Sequence, residues 1–168
     1  NEGKGAAIKT GIQHSNGNVL LIQDADLELI PEDIPALLNA MNESKVELVN
    51  GSRYLPGINR PSYSYWRYFW NKKMTKLTSL FVNVKMSDMA CGFKVIYKDL
   101  VEKIQLIEKG FGFEAELMIK ALKYKKNCMT EVPVHYYPRH EGDGKKFRNR
   151  DGIRIFWVII KYGLLNMK

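Results

Sequence analysis

Cysteine is scarce in this sequence. Cys91 and Cys128 are the only two in 168 residues, too few for a disulfide framework, and neither stands in a Cys/His cluster with zinc spacing. A reducing compartment is the default setting for such a chain. Histidine is equally thin: His14, His135 and His140 are scattered, which suits packing or surface roles. No apolar run reaches the ~20 residues that a membrane span needs, and no signal peptide is read in the opening residues. The Gly3-Lys4-Gly5 stretch lacks the later Gly-Lys-Ser/Thr of a Walker loop, so that class of phosphate site is excluded. Internal repeats and low-complexity linkers are absent too, leaving one domain. Acids are the minority charge, 18 against 26 Lys and Arg, for a net +8. That balance fits phosphorylated substrates, a membrane surface or nucleic acid, without choosing among them. What remains is ordinary for a globular chain, 45% hydrophobic and 26% charged, and long enough for one sizeable core.

The most informative stretch is Val19 to Glu28. Four apolar residues, Val19-Leu20-Leu21-Ile22, read as a short buried strand that runs into Asp24, Asp26 and Glu28. In an extended chain alternate residues share a face, so these three carboxylates would converge on one hard cation. The competing reading of such a triplet is a solvated turn. Pro31 and Glu32-Asp33 then open a helix over Ile34 to Met41, which puts the acids at the carboxyl end of a strand, where open α/β sheets keep their ligands. Ahead of them, Gly3-Lys4-Gly5 precedes a helix carrying Ile8 and Ile12; it is either a loop and cap or a seat for phosphate beside Lys4.

Val46 to Gly51 reads as a second strand, ending in Gly51-Ser52-Arg53. Arg53 is a phosphate clamp or a surface arginine. Tyr63, Tyr65, Trp66, Tyr68, Phe69 and Trp70 then crowd beside Arg67, Lys72, Lys73 and Lys76, in a helix expected to run to about Val82. Such interleaving suits base stacking, the membrane–water boundary or core packing. Phe93 to Tyr97 reads as a strand. Gly110 to Phe113 introduces a helix with Glu114, Leu117, Met118, Ala121 and Leu122 on one stripe. Glu114 is there a first-turn charge or a cleft residue, while Glu116 pairs with Lys120 on the surface. Met129 to Tyr137 alternates as a strand, interrupted by Pro133 and hence at an edge. A basic loop with Lys145, Lys146, Arg148 and Arg150 leads to a last helix. Asp151 is expected to cap it, and its apolar face is Ile153, Phe156, Trp157, Ile160 and Leu164. It is either a membrane-surface element or a helix docked on the sheet.

Taken together, Asn1-x-Gly3-Lys4-Gly5-Ala6, Asp24 to Glu28, Gly51-Ser52-Arg53, Ser87-Asp88 with Cys91-Gly92-Phe93, Gly110-Phe111-x-Phe113-Glu114, Glu131 to Val134, and Arg139 with Gly144-Lys145 resemble the family 2 glycosyltransferases. The motifs occur in the family's order over nearly the whole chain. The likeness is greatest to its dolichol-phosphate mannosyltransferase and polyprenyl-phosphate glycosyltransferase branch. The resemblance implies an α/β fold of the GT-A, Rossmann-like type, with 1–150 as the C-terminal portion of its catalytic domain; 151–168 is expected to be the amphipathic helix, at a membrane surface or docked on the sheet. It implies inverting transfer of mannose or glucose from GDP-mannose or UDP-glucose to a polyprenyl or dolichyl phosphate, with Mg²⁺ or Mn²⁺. It places the protein at the cytoplasmic face of a membrane, peripherally or anchored by segments outside this chain. Asp24 would lie by the nucleotide and metal, with Asp26 and Glu28 as metal ligands; relatives often carry Gln at the position of Glu28. Arg53, Arg139 and Lys145 would hold donor or acceptor phosphate, and Lys4 and Glu114 fall in the same substrate-binding set. Asp26, Arg53 and Asp88 form the catalytic set, Asp88 on the acceptor side.

The family's opening strand and nucleotide-binding β-α-β unit are not seen ahead of Asn1, so this chain alone is expected to bind donor weakly. A phosphate acceptor is already ionised near neutrality and needs no general base. Two alternatives remain. One is a family 2 transferase with a soluble or polysaccharide acceptor, and the other is a non-catalytic phosphate- or lipid-binding module. Nucleic acid is not expected as a partner, because an acidic cluster beside the basic residues repels its backbone.

Overall fold

The computed structural model describes residues 2–58, 64–139 and 149–164, with the backbone alone at Asn149. In chain order the elements are α1 (Lys4–His14), β1 (Val19–Ile22), a 3₁₀ turn (Pro31–Asp33), α2 (Ile34–Ser44), β2 (Leu48–Ser52), α3 (Tyr65–Val82), β3 (Lys94–Tyr97), α4 (Lys98–Ile104), α5 (Phe113–Tyr124), β4 (Met129–Pro133) and α6 (Asn149–Leu164). The strands make one mixed sheet in the order β1-β3-β2-β4. β3 runs antiparallel to both its neighbours, and β4 lies parallel to β2 at the edge, with Pro133 opposite Ser52.

The alternation of side chains along the strands divides the core in two. Leu20, Ile22, Leu48 and Ile96 face a larger cluster with Val82 of α3, Leu117 and Met118 of α5, and Ile159 of α6. Val49 and Val95, one residue along, face a smaller cluster with Leu37 and Met41 of α2. The sheet is thus covered on both faces, as an α/β layer arrangement requires.

Helix limits follow local chemistry. Ser64 caps α3 by accepting the amide of Arg67 at 3.4 Å, and α3 stops at Asn83 in the left-handed region, φ 53°. α2 ends likewise at Lys45, φ 51°.

The expectation for β1 is corrected in one respect. It is half-buried rather than buried, because Leu20 and Ile22 enter the core while Val19 and Leu21 are 38% and 40% exposed. A four-residue run leaves no polar alternation to reveal which face is open. The expected apolar face of α6 lies outward, and a second apolar face is the buried one. α6 begins at Asn149, before Asp151, and buries Ile155, Val158, Ile159 and Tyr162 in the larger cluster, so it is docked on the fold. Ile153, Trp157 and Leu164 lie 63%, 63% and 66% exposed, and form the outward apolar stripe with Phe156 and the half-buried Ile160.

Candidate functional site

The acidic stretch leaves the sheet at Ile22 and turns. The Glu28 amide donates to Asp26 Oδ1 at 3.2 Å, the local bond by which an Asp competes with extended structure, and Leu27 between them takes φ 61°. The expectation that Asp24, Asp26 and Glu28 project from one strand face is therefore corrected. They sit on a turn, and each is held by a cation.

Lys4, the first residue of α1, is paired with Asp24 at 2.6 Å and with Glu114 at the start of α5. Burial by itself would lower the Lys4 pKa, but the Glu114 and Asp24 carboxylates hold it above its ordinary value. Glu114 is thus a first-turn charge of α5 and a buried partner of Lys4. Gly92 lets the Asp24 carboxylate pack against the backbone, since a Cβ there would run into it.

Arg139, beyond β4, takes the other two acids. Its amide donates to Glu28 Oε1 at 3.1 Å and its Nη2 to Asp26 Oδ2 at 3.2 Å. The Tyr136 hydroxyl donates to Glu28 Oε2 at 3.2 Å. Burial above all, with Glu28 nearby, pushes that phenol up to about 12.

Among the described residues, no three His, Cys, Asp or Glu side chains are gathered into a group that holds a metal. The donor chemistry of the acidic turn still fits a hard cation such as Mg²⁺ or Mn²⁺, because Asp24, Asp26 and Glu28 offer only carboxylate oxygens. Lys4 and Arg139 beside them suit an anion such as a diphosphate.

Arg53 follows β2 and lies against the same wall. Its Nε donates to Asp88 Oδ2 at 2.7 Å, and its Nη2 to Asp88 Oδ1 at 2.9 Å and to the Ala90 carbonyl at 3.2 Å. The Tyr136 and Tyr54 rings flank the guanidinium at 5.1 and 5.5 Å. Nη1 makes no hydrogen bond among the described residues, so one edge of the fork is uncommitted. Tyr136 thus joins the clusters, touching Arg53 with its ring and Glu28 with its hydroxyl.

Asp88 is corrected. It is fully buried and both oxygens are taken by Arg53; burial is the largest single influence and raises the carboxyl, but the Arg53 charge and hydrogen bonds, with Lys94, together hold it below its usual range. The geometry makes it an anchor for Arg53 rather than a group facing an acceptor. Glu116 is corrected as well. It does pair with Lys120 at 2.8 Å, but it is fully buried and accepts the amides of Ile107 and Glu108.

Lys145 lies outside the described residues, as do Asn1, Arg60, Tyr63, Lys146 and Arg148. Lys94, Glu131 and Asn50 were not legible as site residues. Lys94 is wholly buried in β3 and donates to the carbonyls of Met89 and Cys91 at 3.2 and 2.6 Å. Its one signal is a lysine inside the otherwise apolar run Phe93 to Ile96.

The dolichol-phosphate mannosyltransferase of Pyrococcus furiosus is 31% identical over 146 residues, covering 86% of this chain and 40% of its own length. The polyprenol monophosphomannose synthase of Mycolicibacterium smegmatis is 28% identical over 149 residues, covering 85% of this chain and 56% of its own. The chain therefore spans about half the length of these relatives, or less. Among solved structures, glucosyl-3-phosphoglycerate synthase from Mycobacterium tuberculosis in complex with uridine diphosphate superposes with a TM-score of 0.72 at 14% identity. It covers 99% of this chain and 57% of its own, a likeness of fold. That fold is GT-A. The family model described as glycosyl transferase family 2 matches residues 1–105, well over half of the sequence, and the chain belongs to that family.

Proposed function

We propose that the protein transfers a hexose, mannose or glucose, from a nucleotide sugar to a polyprenyl or dolichyl phosphate at a membrane surface, with inversion. The observation that carries this reading is the meeting of an all-carboxylate turn (Asp24, Asp26, Glu28) with Lys4, Arg139 and Arg53 on one wall. Named relatives act in this chemistry, which supports the choice of acceptor. Asp24, Asp26 and Glu28 would hold a divalent cation, which when bound supplies Lewis-acid stabilisation of the departing diphosphate.

The chain's own residues do the rest. Lys4 and Arg139 exchange their carboxylate partners for the diphosphate of the donor, placing fixed positive charge where negative charge builds up. Arg53 offers its uncommitted edge to a phosphate, with its plane fixed by Asp88 and the two tyrosines. The acceptor phosphate is ionised near neutrality, so no side chain has to remove its proton. Asp88 being fully occupied by Arg53 is compatible with that.

The outward stripe of α6 meets the lipid surface, with Trp157 and Phe156 at the apolar boundary and Lys161 nearby. Tyr65, Trp66 and Trp70 of α3 are 73%, 67% and 57% exposed and lie among Arg67, Lys73 and Lys76, which attract anionic headgroups. No helix among the described residues is long and apolar enough to cross a membrane.

The test is transfer of label from GDP-mannose and from UDP-glucose to polyprenyl phosphate in detergent, with Mn²⁺ or with EDTA. Label in the lipid phase that needs metal and disappears in Asp26→Ala is the expected result. Absence of label with either donor, in the full-length protein, overturns the reading.

A further inference from the structure

Arg53 does not hold itself in place. Its anchor Asp88 sits in the turn from Ser87 to Gly92, and two buried or half-buried charges of opposite sign fix that turn from different strands. Glu131, on the edge strand β4, accepts the Ser87 amide and hydroxyl at 2.8 Å each and the Asp88 amide at 3.3 Å. Asn50 of β2 joins them, donating to the Asp88 carbonyl at 2.7 Å and to Glu131 at 3.1 Å. On the other side of the turn, the Lys94 ammonium holds the Met89 and Cys91 carbonyls. Amides are thus gripped by a carboxylate and carbonyls by an ammonium, each charge matched to the backbone dipole that it faces. The same turn carries both residues that accept hydrogen bonds from the guanidinium of Arg53, Asp88 and Ala90, and its Gly92 is the seat of Asp24.

We propose that Glu131 and Lys94 are positioning residues that orient Arg53 toward phosphate by clamping the Ser87–Gly92 turn from its two sides. This rests on the reading of Arg53 as a phosphate ligand. Neither residue touches substrate. Burying the Lys94 Nζ without a carboxylate bonded to it is costly for stability alone and pushes its pKa below the ordinary value, and an apolar side chain would fill the same space at less cost. The ammonium is explained by what it orders.

The experiment compares Glu131→Gln, Lys94→Met and Arg53→Ala, and each of the first two combined with the third, in the full-length protein. KM is measured separately for the labelled nucleotide sugar and for a short-chain polyprenyl phosphate. The Arg53 Nε–H resonance is followed by NMR, and melting temperature is followed alongside. Whichever KM is raised by Arg53→Ala should rise about tenfold in Glu131→Gln and in Lys94→Met, the usual size for loss of a residue that supports a ligand from behind. Neither change should add to Arg53→Ala, and the Nε–H resonance should move in both single variants. Independent, multiplying effects, or a fall in melting temperature with KM and the resonance unchanged, overturn the proposal. If one variant fails to fold, the other carries the test. If Arg53→Ala leaves both KM values unchanged, the reading of Arg53 as a phosphate ligand falls. The resonance alone then decides whether Glu131 and Lys94 position it: moved supports, unmoved overturns.

Discussion

Asp88 shows what a single side chain hides from its sequence. The family resemblance put it on the acceptor side, yet it is sealed under Arg53, and no local pattern announces burial of a carboxylate. The consequence for pH can be worked out by sign. Arg53 holds the folded carboxyl below the ordinary value of about 3.9, so its stabilisation is present above that value and is lost as pH falls through the folded one. Asp88→Asn should cost about 3 kcal/mol near neutrality, because Arg53 keeps its charge with its partner gone, and should flatten the loss of stability as pH falls from neutrality to below about 3.9. Urea unfolding over that range checks both. Leu27 makes the opposite case. It is 80% exposed and held at φ 61°, where a side chain is disfavoured by about 1 kcal/mol. Leu27→Gly should therefore raise the unfolding free energy by about that much, read by the same titration.

Elements were more legible than residues. α5 follows its apolar stripe, and the turn signals around β2 and β3 place those strands within two residues. Periodicity failed where a helix has two apolar sides. In α6 the sequence offers Ile153, Phe156, Trp157, Ile160 and Leu164 as one stripe and Ile155, Val158, Ile159 and Tyr162 as another, and only packing decides which is inside. Gly163 belongs to that decision, since a Cβ there would meet the ring of Phe81 on α3. The two stripes should respond differently. Ile159→Ala should cost about 2–5 kcal/mol, as for a buried aliphatic side chain. Trp157→Ala should leave the melting temperature within about a degree, a surface change, while reducing co-sedimentation with anionic vesicles several-fold. Equal vesicle binding by Trp157→Ala and the parent protein would remove α6 from the lipid contact.

At the scale of the molecule, the sequence conveyed an α/β layer arrangement but not the strand order, because antiparallel insertion of β3 between β1 and β2 leaves no mark in spacing. It conveyed the residues of the site better than their pairing, since Lys4 meets Glu114 across 110 positions and Arg139 meets Asp26 across 113. One feature of the interior also governs how the molecule can be handled. Cys91 and Cys128 are 0% and 1% exposed, and burial pushes both thiols up to about 11. At neutral pH they are neutral and out of reach of reagents that attack thiolates. Within these 168 residues, a cysteine introduced on the surface of α3 or α6 is then the one position that a fluorophore or spin label modifies, with no native residue removed first. The protein comes prepared for single-site spectroscopy of the proposed contact with a bilayer.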